Sequence, residues 1–66
     1  MWTPMLLYAT SREAAEAVVR TLRARDIEAT GGDPHHGNYP VSVTVPDDRD
    51  AEVLDIAKAI DPTIQV

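Results

Sequence analysis

Two adjacent histidines, His35 and His36, and the nearby carboxylate of Asp33 are the side chains of this sequence that most resemble a metal or acid–base cluster. Imidazole and carboxylate groups are common metal ligands. Adjacent histidines in a loop usually point in different directions, however, and Asp33-Pro34 is an ordinary turn signature. We therefore expect a solvated hairpin loop with no metal and no cofactor. A small metal-binding protein that uses the loop histidines remains an alternative.

The segment 31–38 that contains these residues also holds all three glycines of the chain. Loops carried by a rigid sheet often supply binding residues. The predicted contact residues are Asp33, His35, His36, Asn38 and Tyr39. Successive backbone N–H groups of a glycine-rich segment can also bind an anion. This segment matches neither G-x-G-x-x-G nor the P-loop pattern, so the simple loop is favoured.

Arginines at positions 12, 20 and 23 have the spacing of one helix face, which would suit a phosphorylated ligand. Glu16 lies between them at a spacing that allows ion pairs with Arg12 and Arg20. Cations also suit the carboxyl end of a helix. The pattern therefore favours a solvated helix face over a phosphate site.

Aspartates at positions 47, 48 and 50 could in principle bind a divalent cation, since clustered carboxylates suit hard metals. Their place at the start of a predicted helix explains them more simply, because the helix dipole favours negative charge there. The only serines, Ser11 and Ser42, lie outside the G-x-S-x-G context of a nucleophile elbow. We predict no catalytic residue and a protein that is not an enzyme.

The first half of the chain predicts a strand, a helix and a second strand. Residues 5–9 form a continuous apolar run typical of a covered strand. Thr10 and Glu13 fit a capping box, and Ser11 is an equally good cap for the helix that follows. Residues 27–30 alternate with a period of two, which predicts a short edge strand.

The second half predicts a strand, a helix and a last strand. Residues 41–45 alternate valine with Ser42 and Thr44, and Pro46 ends that strand. Val53, Leu54, Ala57 and Ile60 have helical spacing, and Asp61-Pro62 stops the helix. Residues 63–66 would close the chain as a fourth strand.

This order predicts an α+β, ferredoxin-like β-α-β-β-α-β sandwich with two helices on one face of a four-stranded antiparallel sheet. The first and third strands would lie at its centre and the second and fourth at its edges. The expected core combines apolar positions of all these elements: Val18, Leu22, Ile27, Val41, Val43, Val45, Leu54 and Ala57.

Composition limits the classes of function. A chain of 66 residues makes one domain, residues 1–66, that is marginally stable alone, so a homo-oligomer is expected. A net charge of −5 disfavours nucleic acid and anionic membranes as partners. The absence of cysteine fits a reducing compartment, and the short apolar run is no signal peptide or membrane span. We expect a cytoplasmic protein.

Several short patterns together resemble a known family. Leu7-Tyr8-Ala9-Thr10, Ile27-Glu28-Ala29 and Val43-Thr44-Val45-Pro46-Asp47-Asp48 are similar to segments of a small bacterial family described as signal transducing proteins of unknown function. The resemblance spans nearly the whole chain. This chain has Arg25-Asp26 where that family often has a glycine before the isoleucine. The resemblance implies a ferredoxin-like fold similar to ACT and PII-like regulatory modules, with no established reaction.

These observations predict a non-enzymatic regulatory or protein-interaction module that forms dimers through a sheet edge or through the uncovered sheet face. The terminal strand, residues 63–66, is the edge expected to pair. A phage or mobile-element accessory protein that binds one host protein is an alternative, since small size and acidity suit it equally.

Overall fold

The alternating valines at positions 41, 43 and 45 lie in the central strand of the sheet. Their side chains are fully buried, while the side chain of Ser42 between them is exposed. The computed structural model describes residues 2–65. Its three strands are β1 (Trp2–Ala9), β2 (Glu28–Gly31) and β3 (Tyr39–Pro46). They form one antiparallel sheet in the order β1-β3-β2. The first strand therefore begins three residues before the predicted Met5.

The predicted four-stranded ferredoxin-like sheet is wrong. Of residues 63–65, only Gln65 pairs with the sheet, through a single antiparallel bridge to Tyr8; Val66 of the predicted strand lies outside the described residues. The backbone N–H of Thr63 donates to the Asp61 carboxylate at 3.1 Å, and that of Ile64 donates to the Asp61 carbonyl at 3.0 Å. Because the turn uses these donors, they are not available for a strand ladder.

The position of β1 differs from the prediction for the same reason. Because residues 2–65 place no full strand on its outer side, β1 is an edge strand of the described sheet, and β3 is its central strand. Tyr8 bonds Gln65, so strand alternation turns the backbone groups of residues 2, 4 and 6 toward the same outer edge. Pro4 has no backbone N–H, so it cannot donate a hydrogen bond at this edge, where a further strand would need a donor.

The first helix, α1 (Arg12–Arg23), is capped by Ser11. The Ser11 hydroxyl accepts a hydrogen bond from the Ala14 N–H at 3.1 Å. The capping box predicted for Thr10 is wrong, because the Thr10 hydroxyl and N–H both donate to Asp61 at 2.8 Å. The chain thus starts its helix one residue later than the capping box requires.

Helix α1 ends in a turn that reverses the chain into β2. Asp26 has a positive φ of 60°, its N–H donates to the Arg23 carbonyl at 3.1 Å, and the Ile27 N–H donates to the Leu22 carbonyl at 3.0 Å. This pair of bonds is the Schellman arrangement, in which glycine usually occupies the left-handed position. Asp26 takes that position here.

The second helix, α2 (Asp50–Ile60), follows a single 3-10 turn, Asp47–Arg49. The aspartates predicted at a helix start therefore divide between the 3-10 turn and the first helical residue. Arg49 pairs with Glu52 at 2.9 Å and also donates to the Arg25 carbonyl at 3.3 Å. This arginine links the start of α2 to the end of α1.

The core lies between the two helices and the odd-numbered side chains of the sheet. Seven of the eight predicted core residues are buried, and Leu54 is the exception because it is half-buried at the margin. Val53 and Ala57 are fully buried, and Leu54 and Ile60 are half-buried against them, so the predicted apolar stripe of α2 faces the core.

Candidate functional site

The predicted hairpin loop, residues 31–38, ends in a tight turn at residues 35–38. Gly31 belongs to β2, and His35 and Asn38 exchange two backbone hydrogen bonds of 2.8 and 3.0 Å. His36 and Gly37 between them have φ values of 51° and 79°. Two consecutive positive φ angles are what a two-residue type I′ turn requires.

This turn holds the two histidine side chains together at the end of β1. Their ring centroids lie 4.1 Å apart with an interplanar angle of 72°, an edge-to-face contact. His35, His36 and Asn38 line a shallow pocket of about 430 Å³ with Tyr8, Thr10, Thr63 and Gln65. The expectation that the two rings point apart is therefore wrong. Within residues 2–65, no three histidine or carboxylate side chains gather as a metal ion would require.

The other two predicted site residues, Asp33 and Tyr39, lie on the opposite side of the hairpin. They line a groove of about 590 Å³ between α1 and the outer edge of β2, which we call the α1–β2 groove. Its helix wall carries Arg12, Glu16, Arg20 and Arg23, and its strand wall includes Gly31, Asp33 and Tyr39. The five predicted residues thus divide between two sites.

The arginines of the α1–β2 groove make few contacts with the protein. Arg23 donates from Nε to the Ala29 carbonyl on the β2 edge at 2.8 Å. The ion pairs predicted for Glu16 with Arg12 and Arg20 do not form; in the described part of the chain, Arg49–Glu52 is the only ion pair within 4 Å. The groove therefore has three guanidinium groups that no carboxylate neutralises at contact distance.

A buried carboxylate that sequence reasoning missed joins the ends of β1 and α2. Asp61 is 5% exposed and accepts four hydrogen bonds from the backbone N–H and hydroxyl groups of Thr10 and Thr63. The Thr10 N–H is the main cause that lowers the pKa of Asp61 below its ordinary value, with the other three bonds adding to it. Asp-Pro reads only as a helix stop in the sequence, so no local pattern indicates this network.

The uncovered face of the sheet carries the even-numbered side chains of all three strands. Trp2 and Leu6 are the exposed large hydrophobic residues of the described chain, at 62% and 43% exposure, and both lie on this face. Pro4 and Tyr8 extend the same apolar row along β1. Opposite them on β3 are Pro46, Thr44, Ser42 and Pro40. We call this surface the open face.

No protein-family model, curated protein or solved structure matches this chain. None of the helices in residues 2–65 is long and apolar enough to cross a lipid bilayer.

Proposed function

We propose that this chain is a cytoplasmic, non-enzymatic interaction module that pairs with a second copy of itself through the open face. The observation that carries the proposal is that Trp2 and Leu6, the two exposed large hydrophobic residues among residues 2–65, lie on one side of one strand. Exposed apolar clusters on small proteins commonly mark contact surfaces. The resemblance to a signal transducing family stays a prediction.

Charge favours the open face as the surface at which two copies of the chain meet. Two chains that each carry a net charge of −5 repel one another over most of their surfaces. Among the strand residues that point to the open face, Glu28 is the only charged one. Two copies therefore meet with least repulsion when their open faces meet, and Glu28 lies on β2, away from the apolar row of β1.

The size of the open face sets the strength of the pairing. Strands of eight residues are roughly 26 Å long and three strands span roughly 14 Å, so the face covers on the order of 350 Å². Stable dimers typically bury about 800 Å² on each partner. We therefore expect a weak dimer that exchanges with monomer.

Sheet edges are poorer contacts than the open face. On β1, Pro4 has no backbone N–H to donate, and the backbone N–H and carbonyl of Tyr8 are already hydrogen-bonded to Gln65. On β2, the Arg23 guanidinium caps the Ala29 carbonyl. The predicted pairing through a terminal strand is wrong, since residues 63–65 form no strand.

Trp2 is the only tryptophan of the chain and lies within the proposed interface, so its fluorescence reports pairing directly. We expect its emission to shift to longer wavelength on dilution, as water reaches the indole. Leu6→Lys should abolish this shift. The matched control is Ala59→Lys, which adds the same charge at an exposed position of α2.

Both lysine substitutions lower the net negative charge, so charge alone would strengthen association in both variants. Loss of pairing only in Leu6→Lys therefore identifies the open face, and circular dichroism checks that each variant is folded. A wild-type chain that sediments as a monomer at about 1 mM would overturn the proposal. Equal pairing by Leu6→Lys and wild type would do the same.

A further inference from the structure

The structure places side by side two features that each looked ordinary in the sequence: the arginine face of α1 and the glycine-rich end of β2. Three of the six lysine and arginine residues of this acidic chain line the α1–β2 groove. Arg12 and Arg20 are exposed, and their guanidinium groups make no hydrogen bond to the protein within residues 2–65. The groove thus gathers positive charge in a molecule that is otherwise negative.

The strand wall of the groove offers a backbone donor. The Ala29 carbonyl faces Arg23, so strand alternation turns the Gly31 N–H, two residues further along the same edge, toward α1 as well. An added Cβ at Gly31 would meet no atom within 4 Å. A ligand can therefore approach this part of the backbone closely.

Arginine side chains and a backbone N–H suit an anionic ligand. The remaining walls of the groove indicate which other groups such a ligand carries. Val19 and the half-buried ring of Tyr39 provide apolar surface, while Glu16 and Asp33 provide carboxylates that accept hydrogen bonds. A bare inorganic anion would leave these groups unused. A volume of about 590 Å³ is in the usual range for small-molecule sites.

We propose that the α1–β2 groove binds a small phosphate ester that carries hydroxyl or amino groups. The phosphate lies among the guanidinium groups of Arg12, Arg20 and Arg23 and accepts from the Gly31 N–H. Guanidinium forks match phosphate oxygens in geometry and charge. The organic part lies toward Tyr39, and its donors meet the Glu16 and Asp33 carboxylates. The open face is on the other side of the sheet, so this site is independent of the proposed dimer.

The test is a titration followed by amide NMR, with AMP and ribose 5-phosphate as probes and adenosine and ribose as their counterparts without phosphate. We expect both phosphate esters to shift the resonances of Gly31 and Asp33, and both neutral counterparts to have no effect. Absence of any shift with about 10 mM of either ester would overturn the proposal. Equal shifts with ester and neutral compound would also overturn it.

Two variants and one control locate the site. The double variant Arg12→Ala, Arg20→Ala should weaken ester binding by at least about tenfold, since it removes two charge-assisted contacts. Gly31→Val should fill the groove and block binding, because the site is open and valine suits a strand. The double variant Arg25→Ala, Lys58→Ala removes the same charge outside the groove lining and should bind as wild type does. If this control loses as much affinity as the groove variant, the ester is held by general electrostatic attraction to the protein and not by the α1–β2 groove.

Discussion

Asp26 takes a backbone conformation that suits glycine better than aspartate. Its φ of 60° lies in the left-handed region, which glycine adopts without steric cost. We expect Asp26→Gly to raise the free energy of unfolding by up to about 1 kcal/mol. Ala24→Gly, two residues earlier at a helical φ of −65°, should instead lower it by about 0.5 to 1 kcal/mol. Urea denaturation of both variants and of wild type measures the two changes in the free energy of unfolding.

Opposite signs at two neighbouring positions separate the conformational effect from a general effect of glycine on the unfolded chain. If Asp26→Gly destabilises the protein as much as Ala24→Gly, the left-handed turn after α1 is not the source of strain.

At the scale of elements, Asp61 makes the attachment of α2 to β1 sensitive to acid. Hydrogen bonds from Thr10 and Thr63 hold the folded pKa of Asp61 below its ordinary value of about 3.9. A lowered folded pKa gives stability that is fully present above the unfolded pKa and is lost as the pH falls through the folded one. The contribution should therefore be intact at neutral pH and decline below about pH 4 to 5.

Asp61→Asn should lower the free energy of unfolding by about 1–3 kcal/mol at pH 7, because the amide offers donors where the carboxylate accepts. The difference from wild type should shrink as the pH falls toward 2, measured by thermal denaturation at each pH. Asp55→Asn, at an exposed position of α2, removes the same charge and serves as control. A difference that is constant across this pH range would contradict the role of the ionised carboxylate.

The two leucines of the helices differ in burial. Leu22 on α1 is fully buried, so Leu22→Ala should cost about 2–5 kcal/mol and threaten the fold of so small a domain. Leu54 is only half-buried, so Leu54→Ala should cost clearly less. Chemical denaturation compares the two, and equal losses would mean that Leu54 belongs to the core after all.

The predictable parts of this fold are those decided within a few residues. Alternation fixes the buried face of residues 41–45, and helical spacing fixes the buried face of α1, because both patterns repeat several times. The segment after α2 has no such repetition. The conformation of this segment depends on Asp61, whose hydrogen-bond partner Thr10 is 51 residues away in the sequence. The same limit applies to the α1–β2 groove, whose two walls become neighbours only when β2 folds back beside α1.

At the scale of the whole molecule, the two proposed surfaces should respond oppositely to salt. Added salt screens the repulsion between two chains of charge −5, so pairing through the open face should strengthen. The same salt screens the arginines of the α1–β2 groove from phosphate, so ester binding should weaken. Sedimentation and NMR titration at low and high sodium chloride measure the two trends. Parallel trends would mean that one surface serves both activities.

The outward-facing Pro4 also governs how large an assembly of this chain can become. Face-to-face contact joins two copies and then ends, whereas contact between the β1 edge of one copy and the β2 edge of the next could repeat without limit and grow a fibre. Pro4, Gln65 and Arg23 each obstruct that repetition. Replacing Pro4 with valine removes one of these three obstructions and should raise the tendency to form fibres, visible as thioflavin fluorescence that rises more in the variant than in wild type. Pro4 thus helps to keep the apolar row of β1 usable for contact while hindering amyloid growth at the β1 edge.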